Sequence, residues 1–168
     1  MTHTLLPAPR RASQRGMMMI EALMAVLILA VGILGLVGIN SVASGAQSDA
    51  QYRGDANRLA AEMVNTILLN VDRNAAQTAN VPPDASAFLH RATATDPCDG
   101  RTGTPSTNPL VQAWVAEATS GSGNVPPGAT AMMQQISIIN NNEVVVTVCW
   151  QGPTDAWKRK HVVTAQIY

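Results

Sequence analysis

Glu21 is the side chain near the start of this sequence whose chemistry needs explaining. It lies in the run MMMIEALMAVLILAVGILGLVGIN, where every other residue from Met17 to Ile39 is apolar or small. A carboxylate in hydrocarbon costs about 2.5–3.5 kcal/mol on insertion scales and marks a functional position by default. The chemistry open to it is charge pairing. If the chain were cut after Gly16, Met17 would carry a free α-amino group four residues before Glu21. An amine and a carboxylate buried together offset each other's desolvation, whereas each alone is costly. A helix holds its own first amine about 6 Å away and poorly directed. The amine of an adjacent, staggered chain fits better. The plainer alternatives are an incidental interfacial charge, a signal anchor, or a signal peptide cleaved after Ser44-Gly45-Ala46. The apolar run exceeds the roughly 7–15 residues usual for a secretory signal.

Other reactive residues are sparse. Cys98 and Cys149 have no CxxC spacing, and His3, His90 and His161 are scattered, so neither a zinc site nor any other metal site is expected. If the body of the chain is exported, the two cysteines are available for one bridge worth about 2–4 kcal/mol; otherwise they are two unpaired thiols. Asp96 to Gly100, DPCDG, faintly resembles a calcium loop but lacks its spacing, and reads as a turn stapled by Cys98. Lys158, Arg159 and Lys160 form a basic run. It reads as a solvated strand start, or else as a contact for DNA or an acidic surface. No GxSxG, HExxH, phosphate loop or GxGxxG occurs, so no enzyme and no cofactor are expected.

The elements that must position these residues follow from composition and period. The 168 residues suit one domain with an appendage. Net charge is zero, yet Arg10, Arg11 and Arg15 precede Glu21 and no acidic residue does, leaving a mildly acidic body. That weighs against a general nucleic-acid binder. Met17 to Ile39 is long enough to span about 30 Å of hydrocarbon. The leading arginines place the N-terminus in the cytoplasm and everything after Asn40 outside it. Gly32, Gly35 and Gly38, with nearby alanines, would let neighbouring helices approach closely.

Beyond Asn40 a helical period continues. Tyr52, Ala56, Leu59, Ala60, Met63, Val64, Ile67, Leu68 and Val71 form one stripe, with Asp55, Arg58, Glu62 and Asp72 off it. No proline interrupts Met17 to Val81, so one helix to about Val71, roughly 80 Å long, is allowed. The stripe reads as core against a sheet rather than as a coiled coil. Prolines break residues 74–131 into short pieces. Within them, Asp84 can cap a turn carrying Phe88 and Leu89. Asn108-Pro109 starts a helix with Leu110, Val111, Trp114, Val115 and Ala118 on one face, and Gly121-Ser122-Gly123 ends it. MMQQISII, EVVVTVCWQ and KRKHVVTAQIY read as a three-stranded antiparallel meander. The core is expected around Phe88, Trp114, Trp150 and Trp157, although Trp150 and Trp157, flanking a turn, could instead form a sticky rim.

The basic leader, Gly16, an apolar residue at 17, Glu21 and the run after it resemble the class III signal of type IV pilins and pseudopilins. Within that family, IEALMA and VGILGL are similar to minor pilins of the PilV type, over Gly16 to about Asn40. Met17 stands where phenylalanine is usual, and Gly38 where major pilins carry a helix-bending proline. Cys149 is followed by a further strand, another mark of a minor subunit. The resemblance implies a prepilin peptidase cutting after Gly16 and N-methylating Met17, with Glu21 as the assembly glutamate. It implies an α+β, pilin-like fold: leader 1–16, transmembrane helix 17–40, amphipathic continuation 41–72 and periplasmic domain 73–168. The implied function is a minor pilin in pilus initiation and assembly. Its partners would be the peptidase, the inner-membrane assembly platform, other minor pilins and the major pilin, with the lipid bilayer as its setting before assembly. A type II secretion pseudopilin, or a pilus-tip adhesin or DNA-uptake module, are the alternatives.

Overall fold

The computed structural model describes residues 15–73, 83–99, 102–120, 125–140 and 142–168. The chain divides into two compact units, Met1–Ala46 and Gln47–Tyr168. Helix α1 runs Arg15–Asn70 and belongs to both.

In the first unit α1 is apolar on every side. Its large side chains from Met18 to Val42 are all more than half exposed. A helix without a polar face suits a solvent that is itself apolar, because its backbone polar groups are satisfied internally. It is the one helix among the described residues long and apolar enough to cross a membrane.

In the second unit α1 becomes amphipathic. Ala56, Leu59, Ala60 and Met63 are fully buried and Val64, Ile67 and Val71 nearly so, as the i, i+3, i+4 spacing predicts. Asp55 departs from expectation: it is 7% exposed rather than solvated. Helix α2, Pro109–Ser120, starts as the sequence indicates. The Leu110 N–H donates to Asn108 Oδ1 at 2.9 Å, and proline takes the first helical position, where no N–H is needed. Val111, Trp114, Val115 and Ala118 are buried, but Leu110 is 41% exposed, turned out at the first turn. Trp114 Nε1 donates to the Leu59 carbonyl at 2.8 Å, fixing α2 to α1. The stop expected at 121–123 lies outside the described residues.

Strands β1 (Gln134–Ile139), β2 (Glu143–Trp150) and β3 (Arg159–Gln166) form an antiparallel sheet in that order. Ile136 pairs with Val146, which pairs with Val163, so one face carries a continuous apolar row. Met132 and Met133 stand outside the strand, in a 3₁₀ turn, Ala131–Met133. Val144, Val146, Val148 and Trp150 are buried in the same core as the α1 stripe. Period-two alternation puts Gln135, Thr147 and Cys149 on the opposite face, where they are buried as well. Gln135 Nε2 donates to the carbonyls of Arg91 and Ala94, so the segment before α2 covers that corner. Asp84 Oδ1 accepts the Ser86 N–H at 2.8 Å, one residue before Ala85, the N-cap of the 3₁₀ turn Ser86–Phe88, which buries Phe88. Trp157, expected in the core, is instead 83% exposed. It follows the turn at Gly152–Asp155, beyond the end of β2, where no element among the described residues covers it.

Candidate functional site

Two places concentrate the candidate residues: the start of α1 and the turn before β3. At the first, Gly16 and Met17 have helical backbone, while residues 1–14 and the side chains of 15–17 are outside the described part. Glu21 is exposed among exposed apolar neighbours. The positions three and four residues away are Met17, Met18, Met24 and Ala25, none of which has a hydrogen-bonding side chain. Among the described residues Glu21 has no hydrogen-bond or ion-pair partner. At 100° per residue, Glu21, Ala25 and Gly32 fall within about 40° of arc. A Cβ added at Gly32, Gly35 or Gly38 would meet nothing within 4 Å. The carboxylate therefore shares its side of the helix with Ala25 and Gly32 and also with Ile28 and Ile39, so that side mixes small and large apolar residues.

The second place is built around the disulfide Cys98–Cys149, which ties the segment before α2 to β2 across 51 positions. The turn stapled by Cys98 has the expected form: Asp96 Oδ1 accepts the Cys98 N–H at 2.9 Å. The basic run does not form one cluster. Lys158 donates to the Cys98 carbonyl at 2.9 Å and lies 3.9 Å from Asp99. Arg159 is half-buried and pairs with Asp49 of α1 at 2.9 Å and with Asp155. Lys160 is exposed. Strand alternation separates neighbours, and this replaces the solvated strand start read from the sequence with two tethered cations and one exposed one. The Arg159 guanidinium holds the Asp155 carboxyl below the usual range, and Asp155 in turn raises the Arg159 pKa.

Two further features take their form from the folded chain. Trp157 walls an open cavity of about 450 Å³ with Asp96, Cys98, Gln151, Lys158 and Lys160. His90 is 5% exposed, and its Nδ1 accepts the Ser106 N–H at 3.1 Å. Among the described residues its Nε2 has no partner of full hydrogen-bond geometry. Burial lowers its pKa, with the Arg91 charge acting the same way and the backbone at Ala131 opposing. A lone histidine and a lone tryptophan carry no period, so only the folded chain reveals their surroundings. Among the described residues no three His, Cys, Asp or Glu side chains are grouped to hold a metal ion.

Comparison of the chain with protein-family models, curated proteins and solved structures finds no match in any of the three.

Proposed function

We propose that this chain is a minor subunit of a type IV pilus, held in the inner membrane by α1 before assembly. The observation that carries this reading is Glu21, a carboxylate without a partner among the described residues, on an all-round apolar helix five positions after Gly16. A prepilin peptidase cuts after Gly16 on the cytoplasmic side and methylates Met17. The assembly platform then brings α1 beside the helices of other minor pilins and the major pilin. There Glu21 meets the α-amino group of a neighbour, and the small residues on its side of α1 permit close approach. The α+β body, with its disulfide, is periplasmic, where such bonds persist.

Mass spectrometry of the mature protein is expected to find N-methylated Met17; an N-terminus at Gln47 would refute this reading. Glu21→Gln keeps size and hydrogen bonding but removes the charge. Membrane insertion should be as good or better, while incorporation into sheared pili falls. The neighbour's ammonium would be left unpaired in hydrocarbon, a loss of about 3–5 kcal/mol for a fully buried pair. Wild-type incorporation of this variant would remove Glu21 from assembly. Should Glu21→Gln abolish protein secretion while leaving pili intact, the subunit belongs to a type II secretion system instead.

A further inference from the structure

Trp157 is 83% exposed, while Trp114 and Trp150 of the same unit are buried. A large apolar ring left in water gives up burial that would otherwise stabilise the fold, and tryptophan is enriched where binding energy concentrates. The segment carrying it is firmly held. Asp155 N–H donates to the Gly152 carbonyl at 3.1 Å, and Gly152 N–H to Asp155 Oδ2 at 3.0 Å. Gln151 is tied at both ends, its N–H to the Pro127 carbonyl and its Nε2 to the Asp155 carbonyl. Lys158 is anchored on Cys98, itself in the disulfide. The ring therefore stands at the rim of a cavity fixed before any ligand arrives, which lowers the ordering cost of binding.

The cavity, about 450 Å³, falls within the range of small-ligand sites. Its polar groups are mixed: the Asp96 carboxylate accepts, the Lys158 and Lys160 ammoniums donate, and the Gln151 amide does both. Lys158 is already partly neutralised by Asp99. A polyphosphate would meet the carboxylate of Asp96, and an apolar peptide would leave the polar groups unpaired. Gln151 Nε2 is already held by the Asp155 carbonyl, Asp96 Oδ1 by the Cys98 N–H and Lys158 by the Cys98 carbonyl. This leaves the second Asp96 oxygen, the Gln151 oxygen and the Lys160 ammonium, a mixed set that suits a pyranose ring. Its polarised C–H face lies on the electron-rich indole, and its hydroxyls both donate and accept.

We propose that the cavity beside the Cys98–Cys149 bridge is a saccharide-binding site, with Trp157 as platform and Asp96, Gln151 and Lys160 as hydroxyl partners. It goes beyond the subunit's place in a pilus and does not depend on it. The test uses the full chain in nanodiscs free of glycolipid and sugar detergent. An array of immobilised neutral and uronic-acid oligosaccharides is probed first, and the bound saccharides are then titrated against tryptophan emission. The expected result is saturable binding that Trp157→Ala weakens at least tenfold and Lys160→Gln severalfold. Both side chains are exposed, and far-ultraviolet circular dichroism of each variant should match the parent. Three results would overturn the assignment: no saccharide bound, binding unchanged in Trp157→Ala, or Trp157-dependent binding of oligothymidylate without any saccharide.

Discussion

His90 shows how one buried atom sets a pH response. Its Nδ1 accepts the Ser106 N–H, so protonating that nitrogen would set two donors against each other. Burial disfavours the cation, the backbone at Ala131 opposes that in part, and the positive charge of Arg91 adds to it. The folded pKa therefore lies below the unfolded value of about 6.5. The unfolded chain takes up the proton first as pH falls. The stability His90 contributes is complete above the unfolded pKa and is lost as pH falls towards and through the folded one. The slope in that window cannot exceed about 1.4 kcal/mol per pH unit for one proton. Thermal melts between pH 7.5 and 5 should show this decline. His90→Asn, which keeps an acceptor near the Ser106 N–H without titrating, should flatten it. An unchanged slope in that variant would move the effect to another group. Asp155, whose pKa is lowered by Arg159, has the same sign in a lower window. Its contribution is present above the ordinary carboxylate range and is lost as pH falls through its folded value.

At the scale of elements, β3 is joined to α1 through a charge as well as through packing. Arg159 reaches Asp49 on the helix and Asp155 in the turn, while Lys160, one residue on, is exposed. Arg159→Gln should lower the melting midpoint, because it releases both carboxylates at once. Lys160→Gln should leave the midpoint where it is. Equal effects would mean that the guanidinium pairs add nothing to the net. This contrast was hidden in the sequence, although alternation in a strand would have separated the three cations had β3 been given its limits. Long helices and strands were legible for a physical reason: α1, α2 and β1 to β3 each repeat an apolar pattern over several turns or pleats. The cap at Asn108 and the hydrogen bond of Asp84 to the Ser86 N–H were legible too, since both are local. Asp49 and Arg159, 110 positions apart, share no period, and neither do Trp157 and Asp96. For Glu21 the sequence held all the chemistry, because what makes it unusual is the apolar run in which it sits.

At the scale of the whole molecule, the core of the second unit joins parts of the chain that are far apart in order. The α1 stripe is covered by strands made much later, and Ile167, 1% exposed, donates its N–H to the Asn142 carbonyl beyond the end of β3. A truncation before Arg159 should therefore collect in the insoluble fraction, and a soluble, protease-resistant product would show that β3 is dispensable. Order of synthesis thus becomes a problem of timing. The stripe from Ala56 to Val71 leaves the ribosome early and waits, apolar and uncovered, until β3 arrives. During that interval it competes for any surface that will take it, and aggregation of such exposed intermediates is the ordinary outcome. A chaperone that holds the chain during those seconds, at about 5–20 residues per second, would raise the yield of native subunit without touching its final stability.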